Sequence, residues 1–388
     1  MARYYEVISG DGHLETPPDT FVKYVPAKWK NRAPQLLKMP EGGEAWLIEG
    51  QPLLHNGQNI TGGGPIKFRG GSYYNSDGSP AEGAGPAAQR LREQDRDGID
   101  AEVLFPPVFA SRFIEAIKDR EVYCALVSAY NTFLAQDYCA VAPDRLIGNA
   151  TLPITGIDDA IAEMKRVKAM GINSVSFYQF PNGSGFAKPE DDRFWAASLE
   201  LGMKLSPHFG FGSISAPMGG AGQGTSDQAF ATAIVQRAGS HAPVFCMAQL
   251  IAGGVFDRFP DIQFYFAETN ACWLPASLFF LDDSYRLFKD FFKVNLKLTP
   301  SEYIKKHIWF GIIRDPVAFQ MANLLPLERL MWGTDFPHSV GSYPRSREFI
   351  ETAFKPVGEK VKRKILLENP AEYYGLDLQK PITETPAS

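Results

Sequence analysis

Eight short apolar segments alternate with helices along the chain, and this alternation constrains the fold more than any other feature. The first segment is Tyr4–Ser9, and the other seven begin at Ala101, Leu146, Ile172, Lys204, Ile262, Ile308 and Leu330. Strands that alternate with helices form parallel sheets with right-handed crossovers. Eight such units, with nearly continuous apolar strands, favour a closed (β/α)₈ barrel over an open doubly wound sheet. The sequence therefore predicts an α/β fold of the TIM-barrel class.

Residues 30–86 interrupt the alternation between the first and second predicted strands. Trp46–Leu54 is typical of two short strands joined by a Gly-containing turn, which is a β-hairpin. A Gly-rich run follows it, with Gly62-Gly63-Gly64 and Gly70-Gly71. Loops this long within a compact domain are usually functional or partly disordered. We therefore predict a single barrel domain over residues 1–388, in which 30–86 form an inserted Gly-rich loop and hairpin that could act as a lid.

Charge and hydropathy exclude several classes of function. The 39 basic and 44 acidic residues give a net charge of −5 with no basic block, which argues against nucleic-acid binding. Apolar stretches of 18 residues are absent from the sequence, so no membrane span is predicted. The N-terminus lacks the apolar core of a signal peptide, and the four cysteines form no C-x-x-C pair. These features predict a cytoplasmic protein that acts on a small molecule.

Ligand-type side chains stand at four predicted strand ends, the edge where barrels of this class hold their active sites. They are Asp11 and His13 after strand one, His208 in strand five, Glu268 after strand six, and Asp335 and His338 after strand eight. Asp11 and His13 alone would also fit a turn. As a set, carboxylates and imidazoles suit a borderline divalent metal, and buried carboxylates require a cation or another partner. The placement predicts a metal site.

Several motifs are typical of a known family. They are Asp11-Gly12-His13, the stretches Asp95–Pro106, Gly254–Pro260 and Trp332–His338, and Asn369-Pro370-Ala371. In these motifs the sequence resembles the branch of the amidohydrolase superfamily that includes aminocarboxymuconate-semialdehyde decarboxylase and the resorcylate-type decarboxylases. The resemblance spans nearly the whole chain outside the insertion. It implies a (β/α)₈ barrel with one divalent metal, bound by the residues that match Asp11, His13, His208 and Asp335.

The sequence departs from the family pattern at two places. The fourth strand segment, Asn173–Tyr178, has no lysine to be carbamylated, which excludes the lysine-bridged two-metal site of the superfamily. Glu268 stands where a histidine is common in this branch. A glutamate is a harder, anionic ligand, so Glu268 could bind a second ion together with His338, or it could act as an acid or base near a single ion.

The same residues could support different reactions. A metal-bound water attacking a carbonyl gives hydrolysis, and a hydroxy-carboxylate protonated on carbon loses carbon dioxide. Asp335, Glu268 and His338 are the predicted catalytic groups in both cases. Zinc is the favoured ion, with manganese or iron as alternatives. Two other functions stay open: an oxygen-activating non-heme iron or di-iron enzyme, and a barrel that binds an ion without catalysis.

An apolar, aromatic lining is predicted for the substrate pocket. Its candidates are Phe105, Tyr178, Phe209 and Trp273, with Arg314 as the group that would bind a substrate carboxylate. Phe105 and Trp273 could instead be core residues, and Arg314 could pair with Asp315 or another carboxylate. The lining predicts a cyclic, aromatic or carboxylated substrate. A homodimer is compatible with the resemblance, since members of such a family are often dimers.

Overall fold

The computed structural model describes residues 2–40, 42–54, 71–107, 117–208, 210–212 and 241–386. The first strand is followed by a small antiparallel sheet, so that the chain opens with β1 (Ile8–His13), β2 (Gln35–Lys38), β3 (Glu44–Ile48) and β4 (Gln51–Leu54). The predicted hairpin corresponds to β3 and β4, and β2 adds a third strand that the sequence pattern did not predict. Residues 62–64 and 70 of the Gly-rich run lie outside the described residues.

Eight parallel strands form the main sheet, in the order in which they occur along the chain. After β1 they are β5 (Ala101–Phe105), β6 (Leu146–Thr151), β7 (Ser174–Ser176), β8 (Lys204–Leu205), β9 (Phe264–Phe266), β10 (Ile308–Ile312) and β11 (Leu330–Trp332). The sheet curves until its last strand reaches its first, where Gly12 and Phe336 form a parallel bridge. The Asp335 amide also donates to the Asp11 carbonyl at 2.9 Å. The predicted TIM-barrel fold is confirmed.

Helices alternate with the barrel strands, and three more follow the last strand. They are α1 (Asp19–Val22), α2 (Ala87–Asp97), α3 (Arg120–Phe133), α4 (Ile157–Ala169), α5 (Asp192–Glu200), α6 (His241–Ala252), α7 (Val255–Arg258), α8 (Leu274–Phe292), α9 (Pro300–His307), α10 (Pro316–Gln320), α11 (Ser346–Ala353), α12 (Glu359–Arg363) and α13 (Asn369–Tyr374). In the described part of the chain, no helix combines the length and apolar character needed to cross a bilayer.

Local sequence signals fix where several of these helices begin and end. The side chain of Asp119 accepts hydrogen bonds from the amides of residues 121 and 122 and so caps the start of α3. Thr299 and Glu302 form a reciprocal capping box at the start of α9. Gly98 ends α2 in the left-handed region, at φ 75°, where a side chain would be strained. The first two caps set where their helices begin, and Gly98 lets the chain turn from α2 into β5, which begins at Ala101.

The inside of the barrel is a packed core and not a channel. Alternate residues of the strands, among them Val103, Phe105, Tyr265 and Met331, form a separate buried cluster with Tyr373 of α13. The Tyr373 hydroxyl donates to the Leu205 carbonyl at 2.8 Å, which fixes α13 across the N-terminal end of the barrel. The metal-ligand-type side chains lie at the opposite end, where the strands run out.

The structure corrects three boundaries predicted from the sequence. Strand β1 begins at Ile8 and ends at His13, so Asp11 and His13 lie within the strand and not beyond it. The α-helix predicted over 119–141 ends at Phe133, and the chain continues as a π-helical turn over Leu134–Tyr138 and a 3₁₀ segment over Cys139–Val141. The helix predicted over 226–256 is interrupted by Gly253-Gly254, and its residues before 241 lie outside the described chain.

One buried histidine gives the fold a pH-dependent contribution to stability. The His307 Nδ1 atom lies 2.7 Å from the Ile262 carbonyl and the ring stacks on Phe256 at 4.3 Å. Burial lowers the pKa of His307. Its contribution is therefore fully present above the unfolded value of about 6.5 and is lost as the pH falls through the lower folded value. In His307→Asn, which keeps a donor but does not titrate, we expect the free energy of unfolding to fall less between about pH 7.5 and pH 5.5.

Urea unfolding of both proteins at the two pH values measures this difference directly. We expect wild type to lose up to about 1.4 kcal/mol more per pH unit than the variant within the titration range. An equal loss in the two proteins would show that the pKa of His307 is the same in the folded and unfolded states.

Candidate metal centre

Asp11 and His13 meet at the C-terminal end of β1, and both side chains are fully buried. Their ligand atoms, Asp11 Oδ1 and His13 Nε2, are 3.7 Å apart. The pairing of β1 with β5 shifts in register between Ser9 and Gly12, so this end of the strand is bulged. The two side chains nevertheless converge on one point, as the spacing of two residues predicted.

Two glycines allow the strands around this point to approach closely. A Cβ atom at Gly12 would lie 2.1 Å from the Glu102 carboxylate on β5. A Cβ atom at Gly333, directly after β11, would lie 2.5 Å from the Asp11 Cβ. Because glycine has no side chain, the ends of β1, β5 and β11 can pack together at these two positions. Asp335 follows two residues after Gly333 and is thereby brought beside Asp11.

The opposite side of the site is formed by residues that follow β8 and β9. His208 pairs with Ala267 in a parallel bridge, and its Nε2 atom lies 3.1 Å from His13 Nε2. The same nitrogen lies 3.4 Å from Glu268 Oε2 and 4.0 Å from Asp11 Oδ2. Glu268 has a positive φ of 53°, an unfavourable conformation for a side chain of this kind. The structure thus brings His208 and Glu268 to the same centre as Asp11 and His13.

Asp335 and His338 complete the centre from the end of β11. Asp335 Oδ1 lies 3.3 Å from His13 Nε2 and 3.1 Å from His338 Nδ1. The other nitrogen of His338, Nε2, lies 3.2 Å from Glu15 Oε1, and the His338 ring stacks on His13 at 3.9 Å. His338 therefore stands between two carboxylates, Asp335 and Glu15. Glu268 lies beside His208 and not between the same carboxylates as His338. This geometry does not test a second ion bound by Glu268 and His338, which stays a prediction.

Glu15 is a site residue that the sequence analysis missed. It is 1% exposed and contributes, with His13 and His338, a group of three ligand-type atoms that lie within 4.8 Å of one another. The signal was present, because Asp11, His13 and Glu15 alternate at a period of two residues, as side chains on one face of a strand do. The predicted strand ended at Ser9, so this alternation was not extended to residue 15.

The polar groups of the centre suit a cation. Among the described residues, no hydrogen-bond donor reaches either oxygen of the buried Asp11 carboxylate. Ligand atoms of Asp11, His13 and His208 all lie within 4.8 Å of one another. His13 Nδ1 lies 3.4 Å from the Pro106 carbonyl, a contact that would leave Nε2 unprotonated and directed at the centre. Buried oxygens without donors, beside two imidazole nitrogens, fit a divalent metal.

The two central carboxylates differ in acidity. Burial raises the pKa of Asp11 well above its usual range, and the nearby charges of Asp335 and Glu268 raise it further. Burial also acts on the pKa of Asp335, but the charge of His338 and the contacts of both histidines outweigh it and lower that pKa. Asp335 is therefore ionised beside the histidines, whereas the charge on Asp11 lacks compensation from the protein alone.

The two stacked histidines also differ. Burial lowers the pKa of His13, and the neighbouring charge of His338 lowers it further. Burial would lower the pKa of His338 as well, but Asp335 and Glu15 outweigh it and raise that pKa well above its usual range. His13 is thus neutral, the form in which histidine binds metals, and His338 holds a proton between its two carboxylates.

A buried ion pair between Arg90 and Glu102 holds the segment next to the centre in place. Arg90 Nε of α2 donates to Glu102 Oε2 at 2.8 Å, and both side chains are at most 2% exposed. Arg90 Nη2 donates to the Phe336 carbonyl at 3.0 Å, and the Thr334 hydroxyl donates to Glu102 Oε1 at 2.8 Å. These contacts hold the segment that carries Asp335. The sequence analysis did not identify either residue, although a glutamate within the apolar strand Ala101–Phe105 is unusual.

The predicted lining residues occupy different environments. Phe105 is fully buried, and its ring lies 5.4 Å from that of His208, so it backs the centre. Trp273 packs on Phe310 and donates to the Thr269 carbonyl at 2.8 Å, as a core residue would. Tyr178 is partly buried, Arg314 is exposed, and Phe209 lies outside the described residues. Their roles toward a substrate stay predictions.

Comparison with known proteins identifies the family. The amidohydrolase family model matches residues 77–376. The chain belongs to the amidohydrolase family. The resemblance predicted from the motifs is thereby confirmed, and this amidohydrolase carries its candidate centre at the barrel end where the site was predicted. The matched region includes His208, Glu268, Asp335 and His338, whereas Asp11 precedes it.

Individual relatives are more distant. This chain is 24% identical over 294 residues to 2-amino-3-carboxymuconate-6-semialdehyde decarboxylase of Dictyostelium discoideum. The alignment covers 75% of this chain and 77% of the relative. Its fold is similar to that of an amidohydrolase from Mycobacterium avium subsp. paratuberculosis, with a TM-score of 0.72, 21% identity and coverage of 97% and 99% of the two chains.

Solved decarboxylases share the same fold. A dihydroxybenzoic acid decarboxylase from Polaromonas, with bound manganese and 2-nitroresorcinol, matches with a TM-score of 0.60 and 17% identity over 97% of this chain and 98% of its own. The 5-carboxyvanillate decarboxylase of Sphingomonas paucimobilis matches with a TM-score of 0.59 and 22% identity over 76% of this chain and 84% of its own. At sequence identities of 17% and 22%, the similarity to these two structures establishes a shared barrel fold and no more.

Proposed function

We propose that this amidohydrolase is a divalent-metal-dependent decarboxylase of a cyclic or aromatic carboxylic acid. The observation that carries the proposal is the buried Asp11 carboxylate, without a described donor, beside the Nε2 atoms of His13 and His208. The decarboxylases among the relatives and the structural neighbours support the reaction class. The 5-carboxyvanillate and dihydroxybenzoic acid decarboxylases among them support an aromatic acid as the substrate.

Asp11, His13, His208 and Asp335 are the residues that would bind the metal. A divalent ion bound there would polarise a substrate oxygen and orient the carboxylate that is lost. Manganese in three of the similar solved structures supports a divalent ion here, and zinc or iron would suit the same mixed ligands. Glu268, 3.4 Å from His208 Nε2, would stand at the edge of the centre as an acid or base or as a further ligand.

Protonation on carbon is the step that the protein's own groups explain best. Loss of carbon dioxide breaks the bond between the ring and the carboxylate, leaves the electron pair on the ring carbon and requires one proton there. Asp335 and Glu15 raise the pKa of His338, which favours a proton at its Nδ1 atom, 3.1 Å from Asp335 Oδ1. Asp335 would accept that proton from His338 and pass it to the ring carbon. His338 would then take up a new proton from solvent, and Glu15 would keep the imidazolium in place.

Hydrolysis is the second candidate, favoured by the ionised state of Asp335. A carboxylate with a lowered pKa can accept a proton from an attacking water, as hydrolysis requires. The two reactions differ in their products, so an assay of products separates them.

The test uses protein purified with manganese and a panel of hydroxybenzoates and carboxyvanillate, incubated in D₂O. We expect release of carbon dioxide and one deuterium at the vacated ring carbon, seen by NMR. His208→Ala should abolish the product, whereas His307→Asn should not, because His307 directly precedes β10 and so lies at the opposite end of the barrel from the centre. Turnover of esters, lactones or amides without carbon dioxide release would contradict the decarboxylase proposal and favour hydrolysis.

Three finer properties also belong to this proposal. The ion is taken to be single, the substrate to be a small molecule, and the protein to be a homodimer. The cytoplasmic location predicted from the sequence stays a prediction, and so does the catalytic or ligand role of each site residue.

A further inference from the structure

Three neighbouring barrel strands carry a buried polar cluster, and it ends two residues before His208. Its members are Asn149 on β6, Ser174 on β7, Ser206 directly after β8, and Tyr374 at the end of α13. Asn149 and Ser206 are 0% exposed and Ser174 is 1% exposed. Residues that alternate with them along the strands pack in the outer core, namely Ala150, Val175 and Leu205. The polar side chains therefore face the inside of the barrel, and we call these four residues the interior cluster.

The members of the interior cluster satisfy one another through hydrogen bonds. Asn149 Nδ2 donates to the Ser206 carbonyl at 3.0 Å, and Asn149 Oδ1 accepts from the Ser174 hydroxyl at 2.8 Å. The Ser206 hydroxyl oxygen lies 3.1 Å from that of Ser174 and 3.0 Å from that of Tyr374. Because a carbonyl oxygen can only accept, the Asn149 amide has one possible orientation here. A fully paired network of this kind specifies one local geometry.

The interior cluster bonds the chain where the backbone ladder that leads to His208 ends. Strand β8 has 2 residues and stops at Leu205, three residues before His208. In the described chain it pairs with β9 through one residue. Pro207 follows and has no N–H to donate to a neighbouring strand. The donor to the Ser206 carbonyl is instead Asn149, which reaches past β7 from β6.

Asp11 and His13 differ from His208 in this respect, because backbone hydrogen bonds hold them directly. Both lie within β1, and β1 pairs with β5 along its length. On the other side, the His13 amide donates to the Phe336 carbonyl at 2.7 Å. His208 lies beyond its strand, so its placement depends more on the side chains that hold residues 206 and 207.

We propose that Asn149 is a positioning residue for the metal centre, which fixes the Ser206 carbonyl and thereby the distance of His208 Nε2 from Asp11 and His13. Because the proline ring of residue 207 sets φ near about −65°, a shift of Ser206 is passed on to His208. Metal ligands must be held to within about 0.5 Å of their productive positions. This inference rests on the divalent metal of the proposed function and not on the reaction.

A role in packing alone is the alternative, and Asn131 provides the matched control for it. Asn131 is also 0% exposed. Its Nδ2 atom donates to the Thr151 carbonyl at 2.8 Å, and its Oδ1 atom accepts from the Thr151 amide at 3.0 Å. It thus fixes the end of β6, and none of the candidate ligands lies on that strand. Asn131→Ala and Asn149→Ala both remove a buried amide that bonds a barrel strand, so both should unfold at lower urea concentration than wild type.

The test measures the dissociation constant of Mn²⁺ for full-length, metal-free proteins by electron paramagnetic resonance of the free ion. We expect Asn149→Ala to raise this constant about tenfold or more. Asn131→Ala should leave it close to the wild-type value. Tyr374→Phe, which removes one hydroxyl from the interior cluster, should give a smaller increase. The visible spectrum of the Co²⁺-loaded proteins reports ligand geometry, and we expect it to change in Asn149→Ala and not in Asn131→Ala.

Circular dichroism establishes that each variant is folded under the conditions of the titration. Mn²⁺ binding as tight as wild type in Asn149→Ala, or equal weakening in both asparagine variants, would overturn the proposal. If Asn149→Ala does not fold, wild-type affinity in Tyr374→Phe would overturn it as well. Wild-type protein that binds no Mn²⁺ would reject the metal centre and the positioning role together. Weaker binding in Asn149→Ala, in a protein that proves to be a hydrolase, would support the positioning role and reject only the reaction.

Discussion

In an Asp335→Asn variant we expect turnover to fall by about 100-fold or more, while the protein remains folded. Asparagine has nearly the same shape as aspartate, but it cannot carry a negative charge or exchange a proton with His338. The carboxylate oxygen that it replaces lies 3.1 Å from His338 Nδ1 and 3.3 Å from His13 Nε2. A loss of this size corresponds to about 3 kcal/mol of transition-state stabilisation. The measurement is kcat at saturating manganese and substrate.

Asp315→Asn is the matched control for this change. Asp315 is also a buried aspartate beyond the end of a barrel strand, but its carboxylate accepts from backbone amides, including those of Ala271 and Ala318. Asparagine keeps the shape and one of the two acceptor oxygens, so we expect Asp315→Asn to lose some stability but the folded protein to retain turnover within a few-fold. Wild-type turnover in Asp335→Asn, or an equal loss in both variants, would remove Asp335 from the proposed proton path.

Replacing Arg90 by methionine is expected to lower the free energy of unfolding by about 3–5 kcal/mol. The change leaves the Glu102 carboxylate buried without its cation, and it removes the hydrogen bond to the Phe336 carbonyl. The guanidinium also lies 4.4 Å from the centre of the Phe336 ring, a contact that methionine keeps only in part. Urea unfolding of wild type and Arg90→Met measures the difference.

A double variant separates charge from packing. In Arg90→Met with Glu102→Gln, no uncompensated charge remains, so we expect the protein to be more stable than Arg90→Met alone. Arg363→Met is the control for an ion pair of similar length, 2.9 Å to Glu368, that is exposed on both sides. Its effect should be at most about 1 kcal/mol. Strictly additive effects of the two substitutions would show that Arg90 and Glu102 do not act as a pair.

The eight-stranded barrel and most of its centre could be predicted from the sequence because both depend on repeated local patterns. Each barrel strand is an apolar run bounded by turn residues, and parallel strands gather their C-terminal ends at one edge. His208, Asp335 and His338 stand at such ends, so their convergence with His13 followed without knowledge of any long-range contact. The family resemblance added the expectation that these residues bind a metal.

The supporting residues could not be predicted because they depend on contacts between distant segments. Glu102 turns toward Arg90 and Thr334 only because Gly12 on the neighbouring strand leaves space for it. Arg90 lies in α2, and nothing in the sequence of that helix indicates that this arginine is buried next to the centre. Glu15 was missed for a more local reason, since the predicted strand ended too early and the alternation of side chains was not followed beyond His13.

The most direct test of the central claim is the metal content of protein purified without added metal, measured by elemental analysis alongside His208→Ala and His307→Asn. We expect about one divalent ion per chain in wild type and in His307→Asn, and none in His208→Ala. Two irons per chain would favour the oxygen-activating alternative and make Glu268 a ligand. Wild-type protein that contains no metal, and takes up neither manganese nor zinc when they are supplied, would contradict the account.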